Sequence, residues 1–260
     1  MNTQHFTHTL NVSPAKLPID DANFECILLF NANALKLNDF NLSDYLSTFE
    51  LTVINKRKSP QAKQEYLATR LLLKYLARCY LKSSSPHYTN LPFNIMCSRF
   101  NTQSNKLQLH IKNDCVINAC ISHSHGFVGV ALNVLKSEFG FDIEKINLTR
   151  PINKLAKHFY HVDEIALLNQ SCDNNRQANT FFRLWTLKEA LAKATSRPIA
   201  QLLSPNVFNE LTQSKLVASS DVVSQSNMQA FDISVVSKKS THWQCFLLND
   251  DNLRHVITLK

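Results

Sequence analysis

The chain has 260 residues, of which 44% are hydrophobic and 18% are charged, so it can bury one large core or two smaller ones. No apolar run reaches the roughly 18 residues of a membrane span, and the N-terminus lacks a signal-peptide pattern, so we expect a cytoplasmic protein without a membrane partner. Seven cysteines with no CxxC pair argue against disulfides and a zinc site. The formal net charge of +8 indicates an anionic partner.

Missing motifs argue against two classes of anion-binding protein. The sequence has no block of lysine and arginine, no helix-turn-helix signature, no zinc finger and no aromatic RNA-binding strand, so we expect no nucleic-acid partner. Its three glycines, Gly126, Gly129 and Gly140, fit neither Gly-rich phosphate loop, GxGxxG or GxxxxGK[ST]. Any phosphate must therefore be held by side chains, by isolated amides or by a metal ion.

The first half contains one long predicted helix with a basic stripe. Residues 59–81 begin with Ser-Pro and carry apolar residues at helical spacing, which predicts a helix. Arg70, Lys74 and Arg78 recur every four residues and share one face, which is either solvated or binds an anion. Residues 115–134 then predict two strands that meet at the polar turn SHSHG.

The stretch FGFDIEKI, residues 139–146, is typical of a strand and carries two carboxylates. Because side chains alternate across a strand, Asp142 and Glu144 share one face. Like charges at this spacing raise each other's pKa unless a positive group lies between them, and a hard cation with oxygen ligands is one remedy. The alternative is a solvated edge strand with incidental acids.

A second long helix is predicted over TFFRLWTLKEALAKAT, residues 180–195, with Thr180 as its N-cap. Glu189 and Lys193 lie four residues apart, and Lys188 directly precedes Glu189, so a carboxylate and two ammonium groups share a broad face. These groups form either an ordinary surface ion pair or, with the two carboxylates of the strand, a site for Mg²⁺ and a phosphate.

Four motifs in this order resemble those of the Sfp-type (surfactin-type) 4′-phosphopantetheinyl transferases. GFDIEK at residues 140–145 resembles G-x-D-x-E, and LWTLKEALAK at residues 184–193 resembles W-x-x-K-E-A-x-x-K. CISHSHGFVGVAL at residues 120–132 resembles the family's strand-turn-strand segment with Ser-His-Ser. QEYLATRLLLKYL at residues 64–76 resembles the family's first long helix. The similarity extends from about residue 55 to about residue 200.

The resemblance implies a metal site, with coenzyme A as co-substrate. Asp142, Glu144 and Glu189 would be the ligands of Mg²⁺, which bridges them to the pyrophosphate of coenzyme A. Lys193 would contact this pyrophosphate, and Lys188 would lie close by. Glu189 and Lys193 are therefore catalytic residues in this interpretation.

The resemblance also implies nucleotide contacts and a base. Ser122 and His123 of the Ser-His-Ser segment would contact the ribose phosphate of coenzyme A, assisted by Lys63 and Arg70. Glu164 matches a position that would serve as general base, taking the proton of the attacking hydroxyl directly or through water.

The implied enzyme is a phosphopantetheinyl transferase of the holo-[acyl-carrier-protein] synthase type. It would move the phosphopantetheine arm of coenzyme A to a serine of an apo acyl or peptidyl carrier protein and release adenosine 3′,5′-bisphosphate. The positive net charge suits both partners, because coenzyme A is a polyanion and carrier proteins of this kind are typically acidic.

The implied fold is α+β, a monomer of two similar α/β subdomains related by a pseudo-twofold axis, with the active site in the cleft between them. The predicted division is residues 1–135, which carry the nucleotide contacts, and residues 136–260, which carry the carboxylates and the C-terminal strands. From residue 207 onward, short apolar runs alternate with polar turns, which predicts a β-meander.

The sequence departs from the family pattern in two places. Residues 99–110 lack a Gly-Lys-Pro-like segment, and residues 194–203 lack the glycine that relatives often place after the lysine of the second motif. Two other functions remain as alternatives. Another Mg²⁺-dependent phosphoryl or nucleotidyl transferase would not depend on coenzyme A. A non-catalytic binding protein for an acidic carrier domain or nucleic acid would tolerate Glu189→Ala.

Overall fold

The computed structural model describes residues 8–15, 25–84, 91–111, 115–134, 137–224, 229–238 and 243–258. Across these ranges no helix combines the length and the apolar character that crossing a membrane requires. Long helices and two sheets confirm the predicted α+β class.

The strands of the described ranges form two sheets. In chain order they are β1 (His8–Thr9), β2 (Val12–Pro14), β3 (Glu25–Asn31), β4 (Cys97–Phe100), β5 (Leu107–His110), β6 (Val116–Ser124), β7 (Phe127–Asn133), β8 (Phe139–Lys145), β9 (Val217–Ser224), β10 (Ala230–Ser237) and β11 (Gln244–Leu247). The smaller sheet has the order β1-β9-β10-β8, and the larger sheet has the order β2-β11-β3-β7-β6-β5-β4. Neighbours are antiparallel, except that β1 pairs with β9 and β11 pairs with β2 and β3 in parallel.

Each sheet carries one long helix. The α-helices are α1 (Leu42–Tyr45), α2 (Thr48–Asn55), α3 (Pro60–Ser84), α4 (Ile152–Phe159), α5 (Val162–Leu168), α6 (Asn174–Thr195), α7 (Val207–Ser214) and α8 (Asp250–Thr258). Helix α3 packs on β3, β6 and β7 of the larger sheet, whereas α6 packs on β8 and β10 of the smaller one.

The described residues divide into two compact units. Residues 12–134 and 243–258 form one unit, and residues 8–11 and 137–238 form the other. This division differs from the predicted one at both termini, because β1 pairs with β9 whereas β11 joins β2 and β3 in the larger sheet. The pseudo-twofold relation and the cleft stay predictions.

The long helix predicted in the first half is confirmed as α3. The hydroxyl of Ser59 accepts the N–H of Ala62 at 3.1 Å and so begins the helix. The basic stripe is not a solvated face, because the ammonium of Lys74 is fully buried in an ion pair with Glu50. Burial lowers the pKa of Lys74, while the charge of Glu50 opposes this.

The predicted hairpin at SHSHG is confirmed as β6 and β7. Its two central residues, His125 and Gly126, have φ of +52° and +83°. Positive φ at both positions matches the twist of the flanking strands, and it explains why a glycine stands at the second one. The Ser-His-Ser segment therefore ends strand β6.

The second long helix begins earlier than predicted. The side chain of Asp173 accepts the N–H of Asn175 at 3.0 Å and caps α6. Thr180 lies inside this helix, and its hydroxyl donates to the carbonyl of Arg176 at 3.0 Å, so its prediction as N-cap was wrong. The polar start of α6 resembles a loop in composition, but the N-cap lies at Asp173, seven positions before the predicted N-cap Thr180.

Within the described residues, the C-terminal prediction of a β-meander was right only for the antiparallel pair of β9 and β10, and residues 225–228 between them lie outside the described ranges. Residues 207–214 and 250–258 form helices α7 and α8 instead, and β11 joins the larger sheet. The side chain of Asn206 caps α7 by accepting the N–H of Phe208 at 3.0 Å, a local signal that the alternating pattern concealed.

Candidate active site

Strand β8 lies against helix α6 at Gly140. A Cβ atom here would lie 2.0 Å from the carbonyl oxygen of Ala190 and 2.5 Å from the amide nitrogen of Ala194. Only glycine fits so close to backbone, so this residue permits the approach of strand and helix. Since Asp142 and Glu144 lie two and four residues further along the same face, both carboxylates are directed toward α6.

Each carboxylate of β8 has a cationic neighbour. The ammonium of Lys193 lies 2.8 Å from Oδ1 of Asp142 and donates to the carbonyl of Phe141 at 3.1 Å. Oε1 of Glu144 lies 3.7 Å from Nη1 of Arg150, in a looser ion pair. The side chain of Asp142 is 8% exposed and that of Lys193 is 31% exposed, so the ammonium is the more open of the two groups.

Glu189 lies one turn before Lys193 in α6. Burial raises the pKa of Glu189, the nearby charges of Asp142 and Glu144 raise this pKa further, and Lys193 lowers it. The carboxylates of Asp142 and Glu144 are therefore close enough to act on that of Glu189. Carboxylates that bind one metal ion together would show such an effect, but the role of these three residues as ligands stays a prediction.

The donor chemistry of these three carboxylates suits Mg²⁺, which prefers oxygen ligands and keeps positions for water and phosphate. In the part of the chain that the structure describes, no three His, Cys, Asp or Glu side chains are already arranged to hold a metal ion. One oxygen of Asp142 lies against Lys193. Metal binding by this set therefore requires side-chain rotation, and it remains a proposal.

Lys188, predicted near coenzyme A, is instead fully buried. Its ammonium lies 3.0 Å from Oε2 of Glu164. It also donates to the carbonyl oxygens of Leu202, Leu203 and Pro205, at 3.0, 2.8 and 2.7 Å. One residue along a helix is a rotation of about 100°, so Lys188 faces away from the side that Glu189 presents. These contacts favour a structural role and weigh against the predicted one.

Glu164, the predicted general base, has both carboxylate oxygens occupied by buried donors. Oε1 accepts the N–H of Val207 at 2.8 Å, at the start of α7. Oε2 accepts the N–H of His161 at 3.0 Å, in the capping box of α5, and pairs with Lys188. The carboxylate thus joins the starts of two helices. Its role as base stays a prediction, and these contacts favour a structural role.

Removing either member of this pair should cost about 3 to 5 kcal/mol of unfolding free energy, because the other charge is left buried without its partner. We expect Glu164→Ala and Lys188→Ala each to show this loss in urea denaturation. The double variant Glu164→Leu with Lys188→Met should lose much less than the sum of the single variants. A Glu164→Ala protein with wild-type stability and slow transfer would contradict the structural role.

A buried polar cluster on the same face of the smaller sheet was not predicted. Asp232 stands opposite Glu144 in the register of β10 with β8, and it is 0% exposed. Nε of Arg183 donates to its Oδ2 at 2.8 Å, and the hydroxyl of Thr186 donates to its Oδ1 at 2.6 Å. The cluster fastens α6 to the strand beside the two carboxylates of β8. Sequence separation of about fifty residues concealed it.

The cluster predicts a pH dependence of stability. Burial raises the pKa of Asp232 from 3.8 to about 7, although Arg183 and Thr186 oppose this. The folded protein then keeps a proton that the unfolded chain loses, so this group stabilises the fold most below pH 4 and loses that effect as the pH approaches 7. In the wild type, the free energy of unfolding should therefore fall as the pH rises from 4 to 7. We expect Asp232→Asn to reduce the slope of this fall by up to about 1.4 kcal/mol per pH unit, measured by urea denaturation from pH 4 to 8. Parallel curves for the two proteins would contradict it.

In the other unit, the predicted nucleotide contact Arg70 is 7% exposed. Its guanidinium lies 3.9 Å from the ring centroid of Tyr66, and Nη1 donates to the hydroxyl of Thr69 at 2.9 Å. Its buried Nε has no hydrogen-bond partner in the described ranges. Burial lowers the pKa of Arg70. Lys63 is half-buried one turn from the start of α3.

The predicted contacts Ser122 and His123 lie at the end of β6. Ser122 is buried, whereas half of the His123 side chain is exposed. Nδ1 of His123 lies 3.2 Å from Oε2 of Glu65 in α3, and the N–H of Gly126 donates to Oε1 of the same carboxylate at 2.8 Å. Helix α3 and the β6–β7 turn are thus joined through Glu65. The nucleotide contacts themselves stay predictions.

Comparison with protein families supports the predicted resemblance. Residues 138–248 match the model of the 4′-phosphopantetheinyl transferase superfamily. This stretch contains β8 and α6, with all three predicted metal ligands. The resemblance to the 4′-phosphopantetheinyl transferase family is confirmed.

Three curated relatives carry this family name. The chain is 39% identical over 82 residues to the 4′-phosphopantetheinyl transferase HetI of Nostoc sp., covering 32% of this chain and 34% of the relative. It is 28% identical over 166 residues to a putative 4′-phosphopantetheinyl transferase of Synechocystis sp., covering 64% and 63%. It is 39% identical over 77 residues to the 4′-phosphopantetheinyl transferase gsp of Aneurinibacillus migulanus, covering 30% of each chain. The chain therefore matches less than two thirds of each relative's length.

Proposed function

We propose that the protein is a Mg²⁺-dependent 4′-phosphopantetheinyl transferase of the holo-[acyl-carrier-protein] synthase type, which moves the phosphopantetheine arm of coenzyme A to a serine of an apo carrier protein. The observation that carries this proposal is the contact of the two motifs. GFDIEK and LWTLKEALAK meet through Gly140, with Lys193 2.8 Å from Asp142 and with Glu189 near enough to both carboxylates of the strand for their charges to raise its pKa.

The reaction needs charge stabilisation more than covalent chemistry from the protein. The serine oxygen forms a bond to the β-phosphorus of coenzyme A, and the bond from this phosphorus to the bridging oxygen breaks. Adenosine 3′,5′-bisphosphate leaves, and the hydroxyl proton passes to a base. Lys193 would stabilise the negative charge that develops on the pyrophosphate oxygens. Mg²⁺, when held by Asp142, Glu144 and Glu189, supplies further charge and orients the pyrophosphate.

The charge of the chain supports the proposed partners. The formal net charge of +8 favours encounter with coenzyme A and with an acidic acyl or peptidyl carrier protein. Arg70 and His123 would serve the nucleotide part of coenzyme A. Arg70 suits an anion because its buried guanidinium has an unused N–H.

Intact-mass spectrometry of carrier proteins tests the function. Several apo acyl and peptidyl carrier proteins are incubated with the protein, coenzyme A and Mg²⁺. We expect at least one to gain the mass of one phosphopantetheine, and we expect EDTA to prevent the gain. Binding of coenzyme A and carrier with no gain on any of them, in a panel that a known transferase modifies fully, would favour the non-catalytic binding protein. Transfer of a different phosphorylated group would favour the other phosphoryl transferase.

A further inference from the structure

Arg150, which follows β8, lies beside the proposed metal site and has no assigned role in it. Nη1 lies 3.7 Å from Oε1 of Glu144, which is beyond hydrogen-bond distance. The guanidinium carbon lies 5.6 Å from the ring centroid of Trp185 and 5.9 Å from that of Phe182, both in α6. These distances are within the range of a cation–π interaction. Two aromatic rings of α6 therefore hold this cation next to a carboxylate of β8.

The backbone around Arg150 is well defined. The side-chain oxygen of Asn147 accepts the N–H of Thr149 at 3.0 Å and its hydroxyl at 2.8 Å, and the N–H of Arg150 donates to the carbonyl of Asn147 at 3.3 Å. Pro151 follows directly, and a residue before proline is restricted to extended conformations. A change of partner by Arg150 would therefore be made by the side chain alone.

The ion pair of Arg150 with Glu144 is loose in comparison with the neighbouring pair on the same sheet. Nε of Arg183 lies 2.8 Å from Oδ2 of Asp232, whose side chain is 0% exposed. The side chains of Arg150 and Glu144 are 33% and 24% exposed. A pair that is this long and this open to water is weak, because the solvent screens it. Arg150 can therefore exchange Glu144 for another anion at little cost.

The charge of Arg150 acts in opposite directions on the two proposed ligands of the site. It repels a divalent cation, and Oε1 of Glu144 faces it, so a metal ion that used this oxygen would compete with the guanidinium. The same charge attracts a polyanion such as coenzyme A. A guanidinium also suits phosphate oxygens, because it donates several N–H groups in one plane.

We propose that Arg150 is a further binding residue of the active site: it pairs with Glu144 in the protein alone, and it turns to the pyrophosphate of coenzyme A when Glu144 binds Mg²⁺. This inference rests on the proposed function, because that function supplies both ligands. The metal then binds weakly to the protein alone, and Arg150 contributes to the affinity that is gained when both ligands bind. Trp185, the tryptophan of the second motif, supplies the surface on which the guanidinium turns.

Metal binding without coenzyme A tests the competition for Glu144. Mn²⁺, which takes the same oxygen ligands as Mg²⁺, is the probe, and electron paramagnetic resonance measures the free ion. Arg150→Met keeps an apolar chain against the rings but removes the charge, so it should tighten Mn²⁺ binding roughly fivefold. Arg150→Lys keeps the charge and should stay within about twofold of the wild type. Lys157→Met is the matched control: it removes an exposed positive charge from α4 and should also stay within about twofold.

Calorimetric titration of coenzyme A tests the exchange of partners. With saturating Mg²⁺, Arg150→Met should weaken coenzyme A binding roughly fivefold, because the pyrophosphate loses a charged donor. Without Mg²⁺, Arg150 stays with Glu144, so the same variant should change the affinity much less. The metal should therefore tighten coenzyme A binding less in Arg150→Met than in the wild type.

The outcomes separate this inference from the proposed function. Unchanged or weaker Mn²⁺ binding in Arg150→Met would overturn the competition for Glu144. Equal weakening of coenzyme A binding with and without Mg²⁺ would overturn the exchange of partners. Either result leaves the proposed function in place when the wild type modifies a carrier protein, whereas a wild type that binds neither metal nor coenzyme A would overturn both. Should Arg150→Met not fold, Arg150→Gln, which also removes the charge, decides in its place.

Discussion

Replacing Glu189 by alanine should lower the rate of phosphopantetheine transfer by at least about a hundredfold. The reason is that Mg²⁺ would lose one of its three proposed ligands, and with it the charge stabilisation of the pyrophosphate in the transition state. We expect the same of Asp142→Ala. Both are measured as kcat/KM with a carrier protein that the wild type modifies. Folding should survive, since burial and two neighbouring carboxylates raise the pKa of Glu189 and so disfavour its charge in the protein without ligand.

The matched control is Glu138→Gln, which neutralises an exposed carboxylate just before β8 and should leave transfer unchanged. Wild-type kcat/KM in Glu189→Ala would show that this residue is not part of the active site. The alternative, a solvated strand whose two carboxylates have no function, would then be favoured for β8. Equal losses in Glu138→Gln would show that the assay responds to net charge rather than to the site.

Gly140→Ala should destabilise the protein by about 3 kcal/mol or more and abolish transfer, because the new methyl group would collide with backbone atoms of α6. Its Cβ would lie 2.0 Å from the carbonyl oxygen of Ala190, an atom that cannot move unless the helix moves. Separating strand from helix would also separate Asp142 from Lys193. Urea denaturation measures the first effect, and the intact-mass assay measures the second.

Gly126→Ala provides the contrast. Its Cβ would lie 2.2 Å from Nδ2 of Asn33, but this is the end of an exposed side chain that can rotate away. The φ of +83° still adds strain, so we expect a cost of about 1 kcal/mol. Greater loss in Gly126→Ala than in Gly140→Ala would contradict the claim that the strand–helix approach depends on Gly140.

The parts of the fold that the sequence predicted are those with strong local signals. Helix α3 has a Ser-Pro start and regular apolar spacing, and the β6–β7 hairpin has a glycine in its turn. The shared face of Asp142 and Glu144 follows from the alternation of a strand alone. The resemblance of both motifs to one family predicted Glu189 and Lys193 beside the strand, and Lys193 lies 2.8 Å from Asp142.

The parts that the sequence did not predict depend on contacts between distant residues. Whether a helical lysine faces a site or a core is decided by its neighbours, and Lys188 faces Glu164 rather than the side of Glu189. The cluster of Asp232 and the contact of Glu65 with His123 each join residues about fifty or more positions apart. Each terminal segment belongs to the unit formed mainly by the other half of the chain. The reason is that strand pairing, which no local pattern encodes, places β1 beside β9 and β11 beside β3.

The most direct test of the central claim, that Asp142, Glu144 and Glu189 act together as a metal site for coenzyme A, is calorimetric titration of coenzyme A with and without Mg²⁺. Coenzyme A binds Mg²⁺ in solution as well, so the heat of this binding is measured in a titration without protein and subtracted. For the wild type we expect Mg²⁺ to tighten binding by about tenfold or more, and for Glu189→Gln we expect almost no effect of the metal. Equal affinity with and without Mg²⁺ in the wild type, or an undiminished Mg²⁺ effect in Glu189→Gln, would contradict the claim.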